Sequence, residues 1–346
     1  MTRRLLALAA LVAGSLLGTA ANAADPIPVR VGIASSISDA PLFIADKKGF
    51  FSDEGLKVTL IPFASAAKMV APLGAGQLEA GAGSASAGLY NAVARGINVK
   101  IVADKGSSPP GYGATQVLVR KDLVDSGRYK GLADLKGMKI AMNAPGVSNT
   151  STLNDALKSV GLKYADVETV DLAFPDHLLA LRNKAVDAAV TTEPTATNAV
   201  RGGYAVMAKG DDEIQPNHQI SVLLYAEQFA KSQPEAARRF MKAYLRGLRF
   251  YNDALEGGRL AGPNADAVIA ILMEYTPIKD PALFRAITPN GCNPDGRVNG
   301  ASLRHDLAFY TEQGLITGAV DLDGIMDNSF VEAALAELGP FVPKRR

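Results

Sequence analysis

The sequence is poor in the residues that build disulfides, metal sites and large aromatic cages. It has one cysteine, Cys292, three histidines and no tryptophan among 346 residues. A single cysteine cannot form an intramolecular disulfide, so burial of apolar side chains, 48% of the chain, has to stabilise the fold. No spacing of Cys and His typical of a metal site is present, and we expect neither a metal nor a cofactor. The absence of tryptophan argues against a ligand site built on stacked indoles.

An excess of charge of one sign is also missing. The 36 Lys and Arg residues against 35 Asp and Glu residues give a formal net charge of +1. A balanced chain has no electrostatic footprint for nucleic acid or an anionic membrane, and we expect neither as a partner. The sequence contains no Gly-Lys-Ser/Thr loop, and its glycines at 81, 83 and 88 do not form a dinucleotide fingerprint, which argues against a nucleotide site.

The first residues have the pattern of an export signal. A basic start at residues 2–4 precedes an apolar run at residues 5–17 that is short for a membrane span, and residues 21–23 fit a cleavage site of small residues. We predict a signal peptide over residues 1–23 and a soluble mature protein in the periplasm. No cysteine follows the cleavage site to carry a lipid anchor, and no later stretch reaches the roughly 18 apolar residues of a spanning helix.

Strand-like apolar runs alternate with helical patterns up to about residue 210, which is typical of α/β layering. The alternation restarts after the turn-rich residues 106–113, so two similar α/β units lie in tandem. Beyond residue 225 the pattern is almost wholly helical, with helices predicted at 265–275 and 329–338 among others. Helices without strands of their own need a sheet to cover, and the sheet of the first unit is the obvious one.

This pattern predicts two lobes of mixed sheets flanked by helices. Lobe 1 comprises residues 24–113 together with the mainly helical residues 222–346, and lobe 2 comprises residues 114–221. The chain then crosses between the lobes twice, at residues 112–119 and at residues 217–224. A pair of extended crossings makes a good hinge, because few dihedral changes swing a whole lobe.

Two short turns carry the clearest functional signal. Residues 81–86 and 143–150 each lead from an apolar run into a helical segment and are rich in Gly, Ser, Thr and Asn. The start of a helix offers unpaired N–H groups and a partial positive charge, so each turn is a possible half of an anion clamp. Ser and Asn are equally favoured there as helix N-caps, and both interpretations stay open. The predicted ligand contacts are Ser84, Ala85 and Ser86 in the first turn, and Ser148, Asn149 and Thr150 in the second.

Other candidates follow from position, because ligands of open α/β sheets lie at the carboxyl ends of the strands. Ser36 and Asp39 follow the first predicted strand, and Ser65 follows the second. Asp39 fits equally a cap of the helix that begins near residue 41. Tyr112, at the first crossing, can stack on a planar ligand or pack within the hinge.

Glu193 is the sharpest candidate for selectivity, because it ends a strand and precedes a proline suited to the start of a helix. Its carboxylate can accept from an amino group or a protonated ring nitrogen of a ligand. It can also cap its own helix or pair with a lysine across the cleft. Phe174, at the end of another apolar run, is a candidate for an apolar wall.

Three motifs resemble the sulfonate, nitrate and thiamine-precursor group of periplasmic substrate-binding proteins of ABC transporters. They are PLFIA followed by KGFFSDEGLKV within residues 41–58, LADLKGMKIA at residues 132–141, and AVDAAV with the Glu-Pro pair within residues 185–194. The resemblance implies the two-lobed type II periplasmic binding protein fold, a ligand cleft between the lobes and no catalysis. It also implies an ABC transporter permease as partner, and we expect a monomer.

Together these observations predict a binding protein for a small organic anion, either a sulfonate or a carboxylate and possibly an aromatic one. The alternative ligand is a pyrimidine precursor of thiamine, with Glu193 paired to ring amines. An enzyme like the thiamine-pyrimidine synthases is a further alternative, although that resemblance demands a cofactor-bearing lysine, a histidine and a cysteine-rich iron site. A chemosensory role is compatible with transport. The sequence does not identify the ligand or the surface that would contact a permease.

Overall fold

The computed structural model describes residues 25–63 and 65–344. The predicted signal peptide, residues 1–23, lies outside the described residues. The strands are β1 (Ile27–Ile33), β2 (Leu56–Pro62), β3 (Ala80–Gly83), β4 (Val99–Ser108), β5 (Thr115–Arg120), β6 (Lys139–Met142), β7 (Glu168–Asp171), β8 (Ala188–Thr192), β9 (Ala205–Gly210), β10 (His218–Ala226), β11 (Leu255–Glu256) and β12 (Arg259–Leu260). The α-helices are α1 (Ala40–Lys47), α2 (Phe50–Asp53), α3 (Ala66–Gly74), α4 (Ala87–Ala94), α5 (Lys121–Asp125), α6 (Ser148–Lys158), α7 (Phe174–Arg182), α8 (Thr195–Arg201), α9 (Asp211–Ile214), α10 (Glu227–Ser232), α11 (Pro234–Asn252), α12 (Ala265–Tyr275), α13 (Pro281–Ala286), α14 (Gly300–Glu312), α15 (Leu322–Ile325) and α16 (Ser329–Leu338).

Two five-stranded mixed sheets form the centre of the protein. The first sheet has the order β2-β1-β3-β10-β4, and the second has the order β7-β6-β8-β5-β9. In the first sheet β1 runs parallel to β2 and β3, while β10 runs antiparallel to β3 and β4. In the second sheet β6 runs parallel to β7 and β8, and β5 runs antiparallel to β8 and β9. The predicted fold class, two mixed α/β sheets flanked by helices, is confirmed.

The helices after β10 cover the first sheet, as their lack of a sheet of their own predicts. Buried side chains of α11, α12, α14 and α16, among them Phe240, Ile269, Phe309 and Val331, share one core with the buried strands of the first sheet. The second sheet has a separate core on each face, because its strands alternate. Thus Val117 and Val119 of β5 pack with α6, while Leu118 packs with α7 and α8.

The chain passes between the sheets through residues 109–114 and 211–217. These two segments lie side by side, since Gly111 N donates to Asp212 Oδ2 at 2.7 Å. The return crossing was expected at residues 217–224, but β10 pairs with β4 from His218 onward. The start of β10 gives no apolar signal in the sequence, because His218 and Gln219 are buried through side-chain hydrogen bonds rather than through apolar contacts.

The first of the two functional turns is shorter than its glycines suggest. Residues 81–83 belong to β3, and α4 begins only at Ala87, with Ser86 as its N-cap. Gly83 is required in the strand, since a Cβ there would lie 2.3 Å from Ala66 Cβ. Within residues 25–63 and 65–344, no helix is long and apolar enough to cross a membrane.

A buried ionic cluster joins the crossing to both sheets. His218, on β10, lies between Asp211, 3.1 Å from its Nδ1, and Asp306 of α14, 3.0 Å from its Nε2, and all three are buried. Thr152 of α6 and Ser108 of β4 both donate to Asp211. Burial by itself would lower the pKa of His218, but the two carboxylates raise it well above its ordinary value.

Candidate ligand-binding cavity

A cavity of about 220 Å³ lies between the two sheets. It opens where the parallel strands of each sheet end, since its wall comprises segments that follow β1, β2 and β3 on one side and β6, β7 and β8 on the other. Ligands of α/β proteins bind at this edge of a sheet. Its polar wall residues include Ser36, Ser38, Ser65, Ser84, Ser86, Lys105, Thr115, Asn143, Ser148, Asn149, Thr192, Glu193, Ser221 and Asn290, and its apolar ones include Ile37, Phe174, Ile220 and Pro289.

Most of the residues predicted to bind a ligand lie in this wall. They are Ser36, Ser65, Ser84, Ser86, Ser148, Asn149 and Glu193. The structure places the other four away from the wall. Asp39 is fully buried behind it, Ala85 packs in the core of the first sheet, and Tyr112 lies half-buried at the crossing. The hydroxyl of Thr150 donates to Val147 O at 2.7 Å, within the first turn of α6.

The two turns meet across the cavity. Ser148 N donates to Ser84 Oγ at 3.4 Å, and Ala87 N donates to Gly146 O at 2.8 Å. Gly146 has a φ of +62°, and a Cβ there would lie 2.5 Å from Ala87 Cβ, so a larger residue would hold the turns apart. The two sheets are therefore in a closed arrangement around the cavity.

The two helix starts differ in how their first N–H groups are used. Ser86 caps α4, because its Oγ accepts from Leu89 N at 3.2 Å. The N-cap of α6, Val147, has no side chain that can accept such a bond, and the first residue of that helix, Ser148, lines the cavity. The start of α6 therefore has no side-chain cap, although its Ser148 N donates to Ser84 Oγ and its Thr150 N donates to Val147 O. The side chain of Ser86, in contrast, is engaged in capping α4.

Lys105 is the functional residue that sequence reasoning missed. It lies near the end of β4, is 1% exposed, and reaches the segment after β1, where its Nζ lies 2.9 Å from Ser38 Oγ and 2.8 Å from Asp39 Oδ1. Asp39 therefore binds a cation and, through its other oxygen, Ser36 N at 2.9 Å. Its side chain makes no capping bond to α1. The one sequence signal for Lys105 was an Asp-Lys pair directly after the apolar residues 101–103.

Glu193 is held by neutral donors from both sides of the cavity. Its Oε1 accepts from Gln116 Nε2 at 3.0 Å, Thr197 Oγ1 at 2.9 Å and Thr288 N at 3.1 Å. Its Oε2 accepts from Thr197 N at 3.0 Å, so Glu193 does cap α8. Among the described residues no lysine contacts it. Burial raises the pKa of this carboxyl above its ordinary value, against the opposing effect of these hydrogen bonds.

In the part of the chain that the structure describes, two mixed sheets joined by two crossings, with a polar cavity between them, form the two-lobed fold of type II periplasmic binding proteins. The match to known proteins agrees. The model of the NMT1-like family matches residues 22–259, and the chain belongs to this family.

The relatives include transport proteins and a biosynthetic protein. An ABC transporter periplasmic binding protein of Brachyspira hyodysenteriae is 26% identical over 330 residues, which cover 87% of this chain and 89% of the relative. A thiamine biosynthesis protein of Haemophilus influenzae is 30% identical over 161 residues, covering 46% of this chain and 48% of that protein. The resemblance to periplasmic binding proteins is confirmed.

Solved structures show the same fold. The alkanesulfonate-binding protein SsuA of Xanthomonas axonopodis pv. citri, bound to MOPS, superposes with a TM-score of 0.69 at 18% identity, over 88% of this chain and 99% of that one. The desulfurization enzyme DSZB superposes with a TM-score of 0.61 at 15% identity, over 90% and 99%. Because one neighbour is an enzyme, the fold alone does not decide between binding and catalysis.

Proposed function

We propose that the protein is a periplasmic solute-binding protein that captures a small organic anion, a sulfonate or a carboxylate, and delivers it to the permease of an ABC transporter. The observation that supports this is the cavity wall, which contains hydroxyl and amide groups of both turns together with one buried ammonium group, that of Lys105. On this proposal the chain acts as a monomer, by binding and release, without catalysis.

The donors in the wall are sufficient for useful affinity. A hydrogen bond to a charged group contributes roughly 1.5–3 kcal/mol, and micromolar binding requires about 8 kcal/mol after association costs. Four or five such bonds therefore suffice. We propose that Ser36 and Ser38, positioned by Lys105, bind the anion from lobe 1 and that Ser148 and Asn149 bind it from lobe 2.

The names of the relatives are compatible with this class of ligand. One structural neighbour is an alkanesulfonate-binding protein, and the relative from Brachyspira hyodysenteriae is an ABC transporter periplasmic binding protein. The predicted signal peptide would bring the chain to the same compartment. We propose that closure of the two lobes, through the contact of Ser84 with Ser148, accompanies capture.

A pyrimidine precursor of thiamine is the second candidate ligand. Glu193 favours it, because a buried carboxylate in the wall suits ring amines, and Phe174 offers an aromatic face beside it. The relative from Haemophilus influenzae is a thiamine biosynthesis protein. Such a ligand would be neutral or cationic, which separates it from the anion in a binding assay.

A thermal-shift screen of small sulfonates, carboxylates and aminopyrimidines on the purified mature protein tests the proposal. A ligand present at 100 times its dissociation constant adds about 2.7 kcal/mol to the free energy of unfolding, which raises the melting temperature measurably. We expect a sulfonate or a carboxylate to give this shift. If only neutral or cationic compounds raise the melting temperature, the proposal of an anionic ligand is wrong and a pyrimidine ligand is favoured.

A further inference from the structure

The ammonium group of Lys105 fixes two serine hydroxyls in the cavity wall. Lys105 Nζ donates to Ser38 Oγ at 2.9 Å, and Ser38 Oγ lies 2.9 Å from Ser36 Oγ. Asp39 closes the arrangement, with Oδ1 at 2.8 Å from Lys105 Nζ and Oδ2 accepting from Ser36 N at 2.9 Å. Lys105, Ser38 and Ser36 line the cavity, and Asp39 is fully buried behind them.

These contacts decide what Ser38 offers to a guest. An ammonium group donates hydrogen bonds and never accepts them, so the oxygen of Ser38 must accept from Lys105. The hydroxyl of Ser38 then donates to Ser36 Oγ, because the hydroxyl of Ser36 itself donates to Asp39 Oδ2 at 3.3 Å. A bound oxyanion can accept the hydrogen bond of Ser38 in place of Ser36, and Lys105 is thus a positioning residue that presents Ser38 as a donor.

The charged groups around the cavity limit the charge of the guest. Within the described residues, Lys105 and Glu193 are the charged side chains of the wall, and Asp39 contacts Lys105 directly. Asp39 neutralises Lys105, so the surroundings carry no surplus of positive charge to offset Glu193. A singly charged guest is held by the neutral donors, but a second negative charge faces two carboxylates with no further cation to balance it.

We propose that the Lys105–Asp39 pair makes the cavity selective for singly charged oxyanions over doubly charged ones of the same shape. Lys105 orients the donor, and Asp39 limits the charge that the site accepts. This inference rests on the proposed function, because it specifies which anions that function would bring to the cavity.

Two matched pairs of probes test the inference. Propane-1-sulfonate and ethyl phosphate have the same number of heavy atoms and differ by a CH2–S unit in place of O–P, as do phenylmethanesulfonate and phenyl phosphate. The second pKa of a phosphate monoester is about 6, so the phosphates are doubly charged at pH 8 and singly charged at pH 5, whereas the sulfonates keep one charge. Titration calorimetry of the mature protein at both pH values gives the ratio of dissociation constants within each pair.

We expect the sulfonate to bind at least tenfold more tightly than its phosphate partner at pH 8, and the ratio to fall several-fold at pH 5. Asp39→Asn should lower the ratio at pH 8 at least fivefold, because the ammonium charge is then free to balance a second negative charge. Asp104→Asn is the matched control. Asp104 is buried next to Lys105 on β4, but it accepts hydrogen bonds from Gln219 and Asn293 and does not line the cavity. It should leave the ratio unchanged.

The outcomes separate this inference from the proposed function. Equal affinity for both members of a pair at pH 8, or an unchanged ratio in Asp39→Asn, overturns the inference and leaves anion capture intact. Failure of all four probes to bind overturns both. If Asp39→Asn does not fold, the ratio for the natural protein and its change between pH 8 and pH 5 still decide the question.

Discussion

The two walls of the cavity hold their charges in different ways. On the side of the first sheet, Lys105 in the wall and Asp39 directly behind it neutralise each other. On the side of the second sheet, Glu193 has no cationic partner among the described residues, and one of its donors, Thr288 N, comes from the opposite side. The first wall is therefore complete by itself, whereas the second depends on closure. We expect an anion to dock on the first wall and the second wall to secure it.

The largest expected effect is on the free energy of unfolding. It concerns the buried cluster of His218, Asp211 and Asp306, which connects the two sheets that carry the walls. His218→Gln leaves two buried carboxylates without their cation, which costs about 3–5 kcal/mol of the free energy of unfolding. Chemical denaturation of the ligand-free protein measures this loss. A loss below about 1 kcal/mol would show that the cluster does not stabilise the closed arrangement.

The same cluster predicts a pH dependence. The folded pKa of His218 is raised, so its contribution is present below its unfolded pKa of about 6.5 and is lost as pH rises through the folded value. The pKa of Asp211 is lowered by His218 despite burial, so its contribution is lost as pH falls from about 4. The difference in stability between the natural protein and His218→Gln should be widest between about pH 5 and pH 6.5. A difference that grows steadily toward high pH would contradict this assignment.

The next effect concerns the first wall. Lys105→Met removes the buried ammonium and the orientation of Ser38, and we expect the affinity for propane-1-sulfonate to fall by about 10- to 100-fold, the value of one charge-assisted hydrogen bond. The control is Lys68→Met, on α3 outside the cavity wall. Unchanged affinity in a folded Lys105→Met protein would mean that the first wall does not hold the anion.

A smaller effect distinguishes the two helix starts. Ser86→Ala removes the cap of α4 and should lower the stability of the ligand-free protein by about 1 kcal/mol. Ser148→Ala removes no cap and should lower the affinity for the anion by about two- to tenfold, with little change in the melt of the ligand-free protein. If Ser86→Ala lowers the affinity and Ser148→Ala lowers the stability instead, Ser86 is the ligand contact and Ser148 is the helix cap.

The smallest effect concerns Glu193 in the second wall. Burial raises its folded pKa, so its stabilising contribution is present below the unfolded pKa of about 4.3 and is lost as pH rises through the folded value. Gln mimics the protonated carboxyl, and Glu193→Gln should therefore flatten the decline of stability in that range. Unfolding curves of both proteins from pH 4 to pH 8 measure the slope. If the stability of both proteins declines with the same slope, burial does not raise the folded pKa of Glu193.

The sequence predicted the fold because local and global signals agree in it. The helix at residues 265–275 and the helix at residues 329–338 begin and end where their apolar periodicity predicts. The return crossing was misplaced, because His218 and Gln219 are buried through polar contacts that no hydropathy pattern shows.

The site residues in local turns could be predicted from the sequence, whereas the residue whose partners are distant in the sequence could not. Ser84 and Ser148 could be proposed because Ser beside a strand end and a helix start has a local physical meaning. Lys105 could not, because its partners Ser38 and Asp39 lie more than 60 residues away in the chain. They approach it only because β3 and β10 lie between β1 and β4 in the sheet.

The central claim is that both walls bind one anion in the cavity between the sheets. A crystal structure of the mature protein with propane-1-sulfonate tests it most directly. The account predicts a sulfonate group within about 3.2 Å of Ser38 Oγ on one side and of Ser148 Oγ on the other. A sulfonate bound outside this cavity, or held by one wall alone in a closed protein, would contradict it.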